Sequence, residues 1–221
     1  TRLKGTIGNI PKPMALVGEK PFLKIILDML SRKGFSRIIL SIGYKGEMVR
    51  DYFGSDFQGM AIDYSTEDQP LGTGGAVKLA MKKMTGKYVY VLNGDTFFDF
   101  DIDAVEKQWA TFERPIIIAA HVKDTSRFGR LDIRAGKIVS FSEKTLNGPG
   151  YINAGCYVLK KLQLEDSAVP EIFSLETEYL EAKVEAGFFD VVICSGIFTD
   201  IGTPDDFKNA QLLFSKPGIR E

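Results

Sequence analysis

Apolar positions along the chain keep two different rhythms. From Pro21 to Lys33 the residues Phe22, Ile25, Ile26, Met29 and Leu30 recur at helical spacing, and Gly34 follows where a helix C-cap belongs. "RIILSIG", starting at Arg37, is a short unbroken apolar run and predicts a buried strand. A helical stretch from Lys45 to Phe53, a strand "MAIDY" from Met60, a helix from Gly72 to Met84 and the apolar run "YVYVLN" from Tyr88 follow in order. Such alternation predicts βαβ units and a mostly parallel sheet covered on both faces.

Beyond Asp95 the pattern changes. One helix (Asp103 to Phe112) precedes "RPIIIAAHV", "GRLDI", "KIVSFSE" and "YINAGCYVL", strand-like runs separated by short turns that favour antiparallel pairing. A helix from Leu175 to Ala186, the strands "FFDVVICSG" and "FTDIG", and a helix from Pro204 to Phe214 with Pro in its first turn complete the series. With no internal repeat, low-complexity tract or linker, the pattern predicts one α/β domain with a mixed sheet over residues 1–221.

Charge and composition narrow the chemistry. The chain has 28 basic and 29 acidic residues, so it lacks the electrostatic footprint of a nucleic-acid or anionic-membrane binder, and any polyanion it takes must be small. No apolar run approaches the roughly 20 residues that span a bilayer. Cys156 and Cys194 lie far apart in apolar runs, without metal-ligand spacing. They read as buried packing residues in a reduced, cytoplasmic setting. His121 is the only histidine, and neither G-x-S-x-G nor G-x-x-x-x-G-K-[ST] occurs, which excludes the usual hydrolase triads and a P-loop. His121 is expected to be structural, and Trp109 to be core or interface.

In open α/β sheets, ligands bind beyond the carboxyl ends of the strands. Three motifs fall there. "EDQPLGTGGAVKLA", Glu67 to Ala80, sets glycines at the start of a helix, where exposed N–H groups could meet a flat or anionic ligand. The alternatives are a tightly packed helix start and a dinucleotide fingerprint, the latter opposed by Val77 at its sixth position. "VLNGDTFFDFD" ends an apolar strand in Asn93-Gly94-Asp95, a place for a hard cation such as Mg²⁺ or merely a turn. "FTDIGTP" repeats that logic with Asp200, making a plausible metal pair with Asp95, or else a simple approach to the next helix. Arg2 and Lys12 flank the opening loop "TRLKGTIGNIPKP" and could neutralise phosphates, and Lys144 follows another strand end.

Taken in order, "TRL…PKPM", "PLGTGGA", "LNGDT", "FGR", "SEK", "YINAG" and "TDIGTP" resemble the sugar-1-phosphate nucleotidyltransferases along the whole chain. The set is especially similar to guanylyltransferases acting on mannose 1-phosphate and on D-glycero-α-D-manno-heptose 1-phosphate. That resemblance implies a Rossmann-like, GT-A-like three-layer sandwich with a mixed central sheet. It also implies transfer of GMP from GTP to a sugar 1-phosphate, with release of pyrophosphate, for surface polysaccharide synthesis. Asp95 and Asp200 would hold Mg²⁺, Arg2 and Lys12 the triphosphate, and Lys144 the sugar phosphate. Glu67, Leu71, Gly72, Thr73, Gly74, Asn93 and Gly94 would bind the nucleotide; Gly129, Glu143, Asn153 and Gly155 would line the sugar side.

Other nucleotide or sugar choices within the family remain alternatives, as does a non-catalytic nucleotide-sugar sensor. Exposed aromatics in the second half leave room for a homodimer. Because the family's loop begins with a strand and glycines, about 15 further residues are expected ahead of Thr1, and a targeting segment could precede them. Nothing catalytic is expected after the helix ending at Phe214.

Overall fold

The computed structural model describes residues 4–142, 148–165 and 169–215. In chain order the elements begin with α1 (Lys4–Ile7), a 3₁₀ turn (Lys12–Met14), β1 (Leu16–Val17), β2 (Lys20–Pro21), α2 (Phe22–Arg32), β3 (Arg37–Ile42), α3 (Gly46–Phe53), β4 (Asp56–Phe57) and β5 (Met60–Thr66). Then come α4 (Gly72–Met81), β6 (Tyr88–Leu92), β7 (Thr96–Phe98), α5 (Ile102–Phe112), β8 (Ile116–Val122), β9 (Arg130–Arg134), β10 (Lys137–Ser142) and β11 (Gly150–Lys160). A π turn (Leu175–Leu180), α6 (Glu181–Glu185), β12 (Asp190–Cys194), β13 (Phe198–Asp200) and α7 (Pro204–Phe214) follow. Every element expected from the pattern is present; the short strands β1, β2, β4 and β7 carry too few residues to show a period.

Two units assemble from these elements. The first comprises residues 4–66, 93–99 and 197–215 of the described chain. In it β3 and β5 pair in parallel, with β4 antiparallel on β5, and β7 pairs antiparallel with β13. The apolar stripe of α2 is wider than its sequence period suggested, because Leu23 and Leu27 are buried along with Phe22, Ile26, Met29 and Leu30. Its polar face carries a Lys24–Asp28 ion pair at 2.9 Å one turn apart. Phe22 and Phe97 both meet the Phe214 ring edge-on, at 6.4 and 5.1 Å between centroids. The β7–β13 ladder has only three residue pairs. Burial of a large apolar side chain contributes about 1.5–3 kcal/mol and a hydrogen bond about 1 kcal/mol, so the phenylalanine cluster holds this ladder more than its own bonds do.

The second unit comprises residues 67–92, 100–142, 148–165 and 169–196 of the described chain. Its sheet runs β10-β9-β11-β8-β12, with β6 also bonded to β11. Ile116, Ile117 and Ile118 on β8 are fully buried, which explains a run without alternation: the strand is flanked by β11 and β12 and covered on both faces. Among the described residues the parallel expectation holds for β3–β5, while β8, expected to pair antiparallel, does so with β11 but pairs in parallel with β12. β6, read as continuing a parallel series, pairs antiparallel with β11 because the chain returns to it from a hairpin-rich second half.

The expected helix from Leu175 also differs. Its first six residues form a π turn capped by the Ser174 hydroxyl, which accepts from the Thr177 N–H, and α6 follows. Cys156 and Cys194 are buried as expected, and burial drives the Cys156 thiol far above its ordinary range. Trp109 is buried, whereas His121 is exposed and meets the Tyr151 ring edge-on at 5.3 Å. Among the described residues no helix is long and apolar enough to cross a membrane.

Candidate active site

The first unit gathers the strand-end acids. Asp95 lies in the turn after Asn93 and Gly94, immediately before β7, and Asp200 is the last residue of β13, directly opposite Thr96. The Ile201 N–H donates to the Asp95 carbonyl at 3.0 Å, so the two acids are locked one register step apart. Gly94 lies against Pro13: a Cβ there would meet Pro13 Cγ at 3.4 Å, an ordinary van der Waals contact, so the Lys12–Met14 turn packs on the Asn93-Gly94 turn without requiring glycine. That packing delivers the Lys12 ammonium to the Asp95 carboxylate at 3.0 Å.

The side chains of Lys12 and Asp95 are 22% and 34% exposed, so a charged ligand can reach them. Gly202 is more tightly placed, since a Cβ there would stand 2.7 Å from Asp200 Oδ2 and would displace that carboxylate. One turn on, Thr203 and Asp206 form a capping box that starts α7, a feature unread in the sequence although T-x-x-D was its signature. Asp206 is spent there, accepting from the Thr203 N–H and hydroxyl at 2.9 and 2.6 Å.

The second unit holds the glycine motif, and there the packed-helix alternative explains the glycines. Cβ atoms at Gly72, Gly74 and Gly75 would fall 2.4 Å from the Phe173 carbonyl oxygen, 2.1 Å from the Phe173 ring and 2.2 Å from the Glu171 carbonyl oxygen. The Gly74 N–H donates to the Phe173 carbonyl, and the Phe173 N–H to the Leu71 carbonyl, both at 3.0 Å. The Leu71 N–H donates to Glu67 Oε2 at 2.9 Å. Helix geometry leaves the first N–H groups without intrahelical partners. With Leu71 and Gly74 satisfied, Gly72 and Thr73 supply the N–H groups that a ligand could use. The Thr73 hydroxyl is itself engaged by the protein, donating to Glu176 Oε2 at 2.6 Å and accepting from the Leu175 N–H at 2.9 Å.

Asn153 and Gly155 sit in a bulge of β11. Asn153 pairs with Ala119 and Cys156 with Ile118, so two extra residues, Ala154 and Gly155, are inserted against β8. Gly155 takes φ +68°, and its N–H donates to Asn153 Oδ1 at 3.0 Å. The Asn153 N–H donates to the Gly129 carbonyl at 3.0 Å, which brings Gly129 beside the bulge. Asn153 Nδ2 donates to the Tyr157 hydroxyl at 2.8 Å. Tyr157 and Glu176 escaped the sequence reading. The glycine inside a strand was the available sign of a bulge, but nothing local says that the bulge brings residue 157 to residue 153. Arg2, Glu143 and Lys144 lie outside the described residues.

Residues 1–216 match the model of the Nucleotidyl transferase family. The chain is 38% identical over 211 residues to a D-glycero-alpha-D-manno-heptose 1-phosphate guanylyltransferase of Aneurinibacillus thermoaerophilus, covering 95% of this chain and 92% of that one. It is 40% identical over 213 residues to the protein of the same description from Campylobacter jejuni, covering 94% and 92%. A crystal structure of HddC from Yersinia pseudotuberculosis complexed with GMP-PN superposes with a TM-score of 0.86 at 36% identity, covering 97% of this chain and 94% of that one. A family match over nearly all of its length, with relatives aligned almost end to end, shows that this chain belongs to the nucleotidyl transferase family.

Proposed function

We propose that this protein transfers GMP from GTP to D-glycero-α-D-manno-heptose 1-phosphate, giving a nucleotide-sugar and pyrophosphate, and that residues 1–221 act as one catalytic domain. The observation that carries the reading is the Lys12–Asp95 pair at 3.0 Å, one register step from Asp200. In the reaction an oxygen of the sugar phosphate attacks the α-phosphorus of GTP, and the bond from that phosphorus to the pyrophosphate oxygen breaks. The nucleophile is already an anion, so no general base is needed. The protein's task is to position two polyanions and neutralise them.

Each residue group has a share in that task. Lys12, with Arg2, neutralises the triphosphate and the departing pyrophosphate. Glu67, Leu71, Gly72, Thr73 and Gly74 contact the nucleoside, partly through backbone: the N–H groups of Gly72 and Thr73 are the ones offered to it, while Glu67 and Gly74 hold the loop that presents them. Asn93 and Gly94 shape the turn that carries Asp95. Gly129, Glu143, Lys144, Asn153 and Gly155 hold the sugar phosphate.

Asp95 and Asp200 offer hard oxygen ligands, and among the described residues no group of three or more His, Cys, Asp or Glu is assembled for a metal. Two carboxylates completed by substrate phosphates suit Mg²⁺, which would add positive charge at the triphosphate. Pyrophosphate release measured for each nucleoside triphosphate against heptose, mannose and glucose 1-phosphates tests the proposal. GTP with the heptose phosphate is expected to give the highest kcat/KM; a preference for another pair would refute the assignment of that substrate.

A further inference from the structure

Asn153 and Tyr157 are four residues apart on one strand. In a regular strand such residues lie about 13 Å apart, beyond the reach of an amide and a phenol. The two-residue insertion at Ala154 and Gly155 shortens that path, and the Asn153 Nδ2 to Tyr157 hydroxyl bond of 2.8 Å results. Tyr157 is fully buried, while Asn153 is half-buried. The amide is thus held at both ends: Nδ2 on the buried phenol and Oδ1 on the Gly155 N–H at 3.0 Å.

An asparagine amide has two N–H donors and two lone pairs. Once these two bonds are made, one donor and one lone pair remain, fixed in direction, which is the pattern that reads a hydroxyl as both acceptor and donor. Which end of the amide is nitrogen is also settled, because the Gly155 N–H requires an oxygen at Oδ1. The phenol is kept protonated. Burial, and then the negative charge of Glu176, raise Tyr157 well above its ordinary range, opposed by the Asn153 donation. Glu176 is itself tied down by the Thr73 and Ser174 hydroxyls at 2.6 and 3.3 Å.

We infer that Tyr157 is a positioning residue for sugar recognition: through its hydroxyl it fixes the Asn153 amide so that the amide's remaining donor and lone pair read a ring hydroxyl of the sugar 1-phosphate. The inference rests on the proposed placement of Asn153 on the sugar side. It predicts a split that simple loss of packing would not give.

Steady-state kinetics of wild type, Tyr157→Phe, Asn153→Asp and the double variant test it. Tyr157→Phe is expected to raise KM for the sugar 1-phosphate by about three- to tenfold, the worth of one hydrogen bond, with KM for GTP and kcat within about twofold. The double variant should be no worse than Asn153→Asp alone. Equal shifts in both KM values, or effects that multiply, would overturn the inference. A second measurement does not depend on how the Phe variant folds. In wild type, hydrogen exchange of the Asn153 side-chain amide, identified by its loss in Asn153→Asp, should show one protected proton; two protons exchanging at the solvent rate would overturn it. Wild-type protein inert toward every sugar 1-phosphate would overturn the functional proposal and this inference with it. Active wild type with an unshifted Tyr157→Phe variant would overturn this inference alone.

Discussion

Gly72→Ala separates two reasons for a glycine at the start of α4. If the position is glycine only so that a nucleotide can approach, alanine should leave stability intact and weaken GTP binding. The structure predicts a different outcome. Gly72 takes φ +73°, and its added Cβ would stand 2.4 Å from the Phe173 carbonyl oxygen and 3.0 Å from the carbonyl carbon. A left-handed conformation costs an L-residue about 1–2 kcal/mol. The overlap falls on backbone whose carbonyl already accepts from the Gly74 N–H at 3.0 Å, so it cannot be relieved by turning a side chain. Overpacking of this kind costs about 1–3 kcal/mol, for a total of about 2–5 kcal/mol. For a chain of this size each kcal/mol lowers Tm by about 2–4 °C, so a mid-range loss of about 3 kcal/mol corresponds to about 6–12 °C. Thermal unfolding by circular dichroism, with urea unfolding as a check, measures the loss. A variant within about 0.5 kcal/mol of wild type that nevertheless binds GTP poorly would refute the packing argument.

Other outcomes follow from the same geometry. Lys12→Met should change stability by no more than about 1 kcal/mol, since the pair is partly exposed, yet lower pyrophosphate release by about 100-fold; urea unfolding and a coupled assay read the two effects. Thr203→Ala removes the hydroxyl half of the α7 capping box and should cost about 1 kcal/mol, seen as a fall in Tm of about 2–4 °C. Tyr88 and Tyr90 both donate to Glu106, at 2.6 and 2.7 Å. Burial first, then the Glu106 hydrogen bond and charge, push Tyr88 from 10.0 up to about 12. The unfolded chain therefore ionises this phenol first. Its contribution is complete below about pH 10 and is lost as pH rises toward about 12. The urea midpoint of wild type should fall more steeply across that window than that of Tyr88→Phe, and parallel slopes would contradict the assignment.

Periodicity carried most of the fold. The α2 stripe and the apolar run of β8 follow directly from residue spacing, and Pro204 marks the start of α7. Direction did not follow. β6 reads like a parallel strand because an apolar run after a helix looks the same whichever way its partner runs, and that partner, β11, lies more than 50 residues downstream. At the site, Asp95 and Asp200 were legible because acids after apolar runs end strands. Their shared ladder was not, because the three residues of β7 show no period. The glycines of "PLGTGG" were legible as a feature, with tight packing among their alternative causes, but the segment they pack against, the distant Glu171–Phe173, was not. Tyr157 stayed hidden for the opposite reason: its partner is close in sequence, and only the bulge makes it close in space.

The most direct test of the account follows the label of GTP. With GTP labelled at the α-phosphate, Mg²⁺ and D-glycero-α-D-manno-heptose 1-phosphate, wild-type protein should place the label in a nucleotide-sugar, one for each pyrophosphate released. Asp95→Asn and Asp200→Asn should each fold and lose about 100-fold or more of that rate. Wild-type rates of label transfer in both variants would contradict the proposed role of these strand-end carboxylates.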